Sequence, residues 1–309
     1  MSELESLRSE FEGTQVIITG ASGFIGLHLA QALSALDAKV LIIDRAQPSD
    51  QLPHAEFEWA DLRHLDKTYE TDYLIHLAAI TNAGYAERFP LDTYEVNVLG
   101  TVNLLNHVNV KRRVLFPSTA LMYKESSEPL AEDAEAGLES TYAQSKFIGE
   151  QVVKFACERM KVDYTIVRFF NIYGPGQLPM YIVPQVFRQI LEDRRIVLRN
   201  GSVLRDLLYV DDCLDAVAKL VVSPAAENST FNIGSGETVS IHDIAQGAID
   251  ASDEHEVEIT DLQQGIQYSP TSIMADTTKV RSTIDWSPQV KLEEGLRRVW
   301  ETHLNAKSR

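Results

Sequence analysis

Positive charge is in short supply in this chain: 28 lysines and arginines stand against 45 aspartates and glutamates over 309 residues, a formal charge of −17. Gripping a nucleic-acid backbone takes clustered Lys and Arg. No stretch concentrates them, so nucleic acid is not an expected partner and the acidity reads as a solvated surface. Cysteine is scarcer still, at two residues. Cys157 and Cys213 lie in apolar, helix-like contexts without metal-ligand spacing, which points to buried free thiols rather than a disulfide or a zinc site, and to a reducing, intracellular setting. No metal site is expected. Long apolar runs are absent too: none approaches the ~18 residues of a spanning helix. The opening "MSELESLRSEFEG" lacks the basic and apolar regions of a secretion signal, so a cytoplasmic protein without membrane attachment is expected.

What is present is a globular composition, 44% hydrophobic and 24% charged, with 16 Gly and 11 Pro. The length allows one large or two modest domains. "TQVIIT" (14–19) is a short β-branched run suited to a strand buried on both faces of a parallel sheet. "GASGFIG" follows with Gly20, Gly23 and Gly26, then "FIGLHLAQALSAL" carries apolar residues at helical spacing, and "AKVLIID" ends at Asp44. Strand, glycine turn, helix and an acid at the second strand end are the parts of a dinucleotide site. Glycines let the backbone approach a pyrophosphate, the helix N-terminus favours its charge, and the acid accepts from the ribose hydroxyls. A carboxylate repels a 2′-phosphate, so Asp44 favours NAD over NADP, although Arg45 leaves room for NADP. "HAEFEWADL", "DYLIHLAA", the helical "EVNVLGTVNLLNHV" and the strand "RRVLFPST" continue the βαβ rhythm.

In order, "TGASGFIG", "ADL", "HLAA", "NVLGT", "PSTALMY", "YAQSK", "RFFNIYGPGQ", "RDLLYVDD" and "FNIGSGETVS" resemble the extended short-chain dehydrogenase/reductase family. The resemblance covers roughly residues 14–300 and lies in the branch of NAD-dependent sugar-nucleotide epimerases and dehydratases, of the UDP-glucose 4-epimerase kind. It implies a doubly wound parallel sheet (Rossmann) with a smaller mixed α/β substrate-binding lid, divided as 1–170 with 206–235 for NAD and 171–205 with 236–309 for the substrate. It implies Thr119, Tyr142 and Lys146 as the catalytic trio. Lys146 stands one helical turn from Tyr142, where its ammonium, together with the nicotinamide, would stabilise the phenolate so that Tyr142 acts as a base near neutral pH. Thr119 would hydrogen-bond the reacting oxygen, with Ser118 a second hydroxyl of undecided orientation. The cofactor would rest on Gly20, Gly23, Phe24, Ile25 and Gly26, with Asp44, Arg45, Asp61 and Leu62 towards adenosine and Leu77, Ala78 and Ala79 lining the trough. Asn97 would lie on the helix behind the site, with a structural role as well supported as a direct one. Asn171 would touch substrate, 173–175 would border the nicotinamide, and Arg205 either approaches the nucleotide or is a surface residue. A homodimer through the helices around 97–108 and 142–160 is also implied.

Two departures bear on the substrate. Where many relatives carry an "RPGD"-like segment that grips a diphosphate, this chain reads "IQYSPTSIMAD" (266–276), leaving the grip to Arg205, to others such as Arg188 or Arg199, or to an unusual substrate. Dehydratases and decarboxylases of the family place a carboxylate after the catalytic threonine, whereas Thr119 is followed by Ala120 and Leu121. Elimination chemistry thereby lacks its obvious acid, which favours epimerisation, or a keto-reductase, over a dehydratase. A non-catalytic NAD-sensing relative is disfavoured by the intact trio.

Overall fold

The first strand, β1 (Gln15–Thr19), is buried along all but its first residue, and its neighbours explain why. It lies between β2 (Lys39–Asp44) and β4 (Tyr69–His76) in a 7-stranded sheet whose order is β11-β6-β5-β4-β1-β2-β3. The other members are β3 (Ala55–Trp59), β5 (Val108–Thr119), β6 (Asp163–Phe169) and β11 (Ser229–Ile233), and every pairing is parallel. The computed structural model describes residues 2–49, 52, 54–254, 256–263 and 273–307.

Helices cover both faces, so the strands need apolar side chains on both. Val16 and Ile18 point into one core with Leu29 and Leu33 of α1 (Phe24–Ala35). Ile17 points into the other with Leu104 of α2 (Gly100–His107) and Val153 of α3 (Thr141–Met160). The chain runs outward from β1 to β2 and β3, then returns to β4 on the other side, which leaves a crevice at the carboxyl ends of β1 and β4 where ligands of such sheets bind.

Beyond β6 the chain forms two-stranded pieces. β7 (Asn171–Tyr173) pairs parallel with β10 (Leu207–Tyr209). α4 (Ile182–Asp193) leads into β8 (Arg195–Leu198), and β9 (Leu204–Arg205) pairs antiparallel with β12 (Val239–Ser240). α5 (Val210–Val222) packs against α1, and α6 (Ile241–Ser252) packs against α8 (Leu292–Lys307). β13 (Glu258–Asp261) pairs with β8, while α7 (Thr278–Ile284) returns to lie against β11 and α5. The helix expected over 95–108 is interrupted: Glu95–Leu99 is a π-helical turn ahead of α2, and β5 begins at Val108. Both cysteines are free and buried. Among the described residues no helix is long and apolar enough to cross a membrane, and no group of side chains could hold a metal ion.

Candidate active site

The glycine turn after β1 is shaped by contacts that admit no side chain. Gly20 has φ +77°, and a Cβ there would come within 2.5 Å of the Ala78 nitrogen; a Cβ on Gly26 would overlap the Gly20 carbonyl oxygen. Gly23 takes the cap position of α1 without a side-chain cap, so the first N–H groups of the helix face outward. They open on a cleft of about 640 Å³. Asp44, at the end of β2, accepts from the Ser22 N–H and hydroxyl at 2.9 and 2.7 Å and stands over the glycine turn. Asp61 is clamped by Arg63, whose side chain and N–H hold its carboxyl down at about 2. Arg45 lies 3.9 Å from Asp61. Uncapped helix N–H groups, glycines without room for Cβ and a carboxylate at the second strand end form a surface that fits NAD.

Helix α3 supplies the next parts. The Ser140 hydroxyl caps it by accepting from the Ala143 N–H at 3.1 Å. Its buried stripe includes Tyr142, Lys146, Gly149, Glu150 and Val153, and polar groups on a core-facing stripe signal work other than packing. Gly149 lets the helix close on the sheet: a Cβ there would sit 2.6 Å from the Phe116 ring. That approach brings Tyr142 to Thr119 at the end of β5, close enough for the Thr119 hydroxyl to pull the phenol's pKa down. Ser118, one residue earlier, turns towards Met122 (Oγ to Sδ, 4.0 Å). Thr119 is therefore the hydroxyl that meets Tyr142, as the alternation of strand side chains requires.

Electrostatics differ from the sequence expectation in one respect. Burial drives the Tyr142 phenol above its ordinary range; the Thr119 hydrogen bond opposes this and the neighbouring Tyr181 adds to it. Lys146 does not offset the rise, because its own ammonium is buried and falls to about 7, with Glu150 one turn on acting the other way. Its Nζ lies 4.2 Å from the centre of the Phe116 ring. With the lysine partly neutral, activation of the phenol depends on what a bound cofactor adds.

Polar residues behind the cleft form a continuous network. Asn97, on the π-helical turn, accepts from the Ile80 N–H at 2.7 Å and donates to the Ile80 carbonyl and the Ser145 hydroxyl, while Ser145 donates to the Tyr142 carbonyl. Asn97 is not among the residues that line the cleft. His76 bridges the hydroxyls of Thr19 and Thr101 at 2.7 and 2.8 Å, and burial, reinforced by Lys146, holds it neutral at about 3. Glu150 pairs with Arg168 through two 2.9 Å contacts, both residues buried. Sequence reasoning passed over His76, Glu150 and Arg168; a charged residue inside an apolar helix stripe was the signal for Glu150.

Phe24, Ile25, Leu62, Leu77, Ala78 and Ala79 line the cleft, as do Ser118, Thr119, Tyr142, Lys146, Asn171, Arg205 and Tyr173. Asn171 donates to the Asp206 carbonyl at 3.0 Å. Arg205 extends from β9, its guanidinium donating to the Leu204 carbonyl at 2.8 Å, whereas Arg188 and Arg199 are exposed and away from the cleft. Asp206, wholly buried, accepts from the N–H groups of Ser235, Gly236 and Ala275 and ties the strand carrying Arg205 in place. Of the stretch at 266–276, residues 266–272 lie outside the described residues.

Fold and cleft together define a dinucleotide-binding α/β protein that gathers a threonine, a tyrosine and a lysine at the carboxyl edge of its sheet. The chain belongs to the NAD dependent epimerase/dehydratase family, whose description matches residues 16–234. It is 28% identical to a putative UDP-glucose 4-epimerase of Methanocaldococcus jannaschii, over 92% of this chain and 96% of that one. It is 32% identical to the GDP-6-deoxy-D-talose 4-dehydrogenase of Aggregatibacter actinomycetemcomitans, over 87% and 91%. Among solved structures, MoeE5 in complex with UDP-glucose and NAD superposes with a TM-score of 0.83 at 25% identity, over 95% of this chain and 99% of that one. This chain is accordingly an enzyme of that family, and NAD is its cofactor.

Proposed function

We propose that this enzyme epimerises a nucleotide-activated sugar by transient oxidation, at C4, and hydride return to the opposite face. NAD, when bound, supplies the acceptor and then the donor of that hydride. Thr119 and Tyr142 hold the reacting hydroxyl between them, and Tyr142 takes its proton on oxidation and gives it back on reduction. Lys146, one turn along α3, holds the nicotinamide ribose, and the positive nicotinamide of bound NAD would add the charge that lets Tyr142 ionise. Gly20, Gly23 and Gly26 cradle the pyrophosphate, Asp44 takes the ribose diol, and Asp61 with Leu62 lies at adenine. Asn171 and Arg205 contact the substrate, with Arg205 at its phosphates, while the Ser118 hydroxyl is turned towards Met122.

The observation that carries this reading is the gathering of Thr119, Tyr142 and Lys146 in one cleft, with Ala120 and Leu121 where elimination would need a carboxylate. The relatives named UDP-glucose 4-epimerase and 4-dehydrogenase support redox chemistry at C4. One observation favours a dehydratase instead: Glu125 lines the same cleft and could serve as the missing acid. Incubation with UDP-glucose in D₂O without added NAD(P)H separates the readings. An epimeric product free of solvent deuterium is expected. Deuterium in a 6-deoxy-4-keto product would establish elimination, and NAD(P)H consumed one for one with an added 4-keto nucleotide sugar, with no epimer formed from UDP-glucose, a reductase.

The same reading carries a cytoplasmic homodimer. Leu99, Val102, Ile148 and Phe155 are exposed apolar residues on or beside α2 and α3, which pack together, and Phe155 is 70% exposed; a second copy would cover them. We divide the chain into a cofactor domain, 1–170 with 206–235, and a substrate domain, 171–205 with 236–309.

A further inference from the structure

We propose that Tyr181 is a specificity-determining residue whose hydroxyl hydrogen-bonds the sugar hydroxyl next to the one oxidised; the proposal rests on the C4 reading above. Oxidation at C4 leaves one hydroxyl-bearing ring neighbour, C3, since C5 carries the ring oxygen. A phenol beside Tyr142 is therefore placed for the C3 hydroxyl.

Tyr181 ends the loop after β7 and takes the cap position of α4, where its carbonyl accepts from the Gln185 N–H at 3.0 Å. The loop is fixed at both ends. The Pro175 carbonyl meets His28 of α1 at 2.9 Å, Gln177 donates to the Ile172 carbonyl at 2.8 Å, and the Tyr181 N–H donates to the Leu178 carbonyl at 3.1 Å. From there the side chain crosses to the opposite wall of the cleft, where its hydroxyl lies 3.4 Å from the Thr81 hydroxyl, and next to it Asn82 donates to the Met180 sulfur at 2.9 Å. A 3.4 Å contact is long for two hydroxyls, so it leaves the phenol able to donate to a closer partner. Tyr181 lines the cleft and remains 36% exposed, and it is near enough to Tyr142 to raise that phenol. Tyr142 is already committed to Thr119 and the reacting hydroxyl. Of the other two phenols that line the cleft, Tyr173 is buried against Tyr209, and Tyr181 is the one that stays exposed, held by the loop after β7.

The test uses NAD-loaded wild type and Tyr181→Phe, which keeps the ring and its packing. Calorimetric titration with UDP, UDP-glucose and UDP-3-deoxyglucose should show Tyr181→Phe binding UDP as wild type does and UDP-glucose about three- to tenfold more weakly, the range of one neutral hydrogen bond. Wild type should lose a similar factor on the 3-deoxy sugar, and Tyr181→Phe should lose nothing further. Equal affinity of the two proteins for UDP-glucose would overturn the proposal. Failure of wild type to bind UDP-glucose would count against the substrate reading alone; the same comparison would then be made with GDP- and TDP-glucose and their 3-deoxy forms, and equal affinity of wild type and Tyr181→Phe for the sugar that binds would overturn the proposal.

Discussion

Replacing Lys146 with methionine should stabilise the NAD-free protein while abolishing its activity. Burial brings the ammonium from its ordinary 10.5 to about 7, and at ~1.36 kcal/mol per tenfold change the charged lysine costs the fold up to about 5 kcal/mol. The sign follows from proton counting. Between about pH 7 and 10.5 the unfolded chain binds the proton and the folded one does not, so stability rises with pH across that window. The penalty is full below about 7 and shrinks above it. Stacking on Phe116 at 4.2 Å returns up to ~2 kcal/mol, leaving a net gain of about 3 kcal/mol for a methionine of similar volume at pH 6. Between pH 6 and 9 that gain should fall by ~3 kcal/mol. Urea denaturation of both NAD-free proteins at the two pH values measures it. A variant no more stable than wild type at pH 6, or a gain indifferent to pH, would refute the claim that Lys146 is held against its own solvation for the sake of the site.

Tyr142→Phe should leave folding and NAD binding nearly intact and lower turnover by orders of magnitude, because only the transferable proton is lost; lost stability with activity retained per folded molecule would make the tyrosine a packing residue. Asp44→Ala should weaken NAD about tenfold or more and NADP far less, narrowing the gap between them in fluorescence titration, since a charged acceptor contributes about 1.5–3 kcal/mol. Phe155→Asp should convert a dimer into a monomer in light scattering, and an unchanged mass would remove α3 from the interface.

Local pattern alone determined the cofactor half. A glycine turn between a β-branched run and an amphipathic helix has few other physical uses, and the acid at the next strand end completes it, so Gly20, Gly23, Gly26 and Asp44 were legible as a set. Tyr142 and Lys146 were legible for the same reason, because one helical turn fixes their separation whatever surrounds them. What the chain could not state locally is which groups lose water together. The choice of Thr119 over Ser118 was decided by which face of β5 meets α3, and that approach depends on Gly149 admitting Phe116. The neutral His76, the Glu150 and Arg168 pair and the fall of Lys146 to about 7 all arise from desolvation by segments distant in sequence. Tyr181 reaches Thr81 across 100 positions of chain. Motifs are short-range in sequence, whereas burial and charge coupling are set by the packing of the whole fold, so the sequence fixes which residues are available and tertiary structure decides which of them act together.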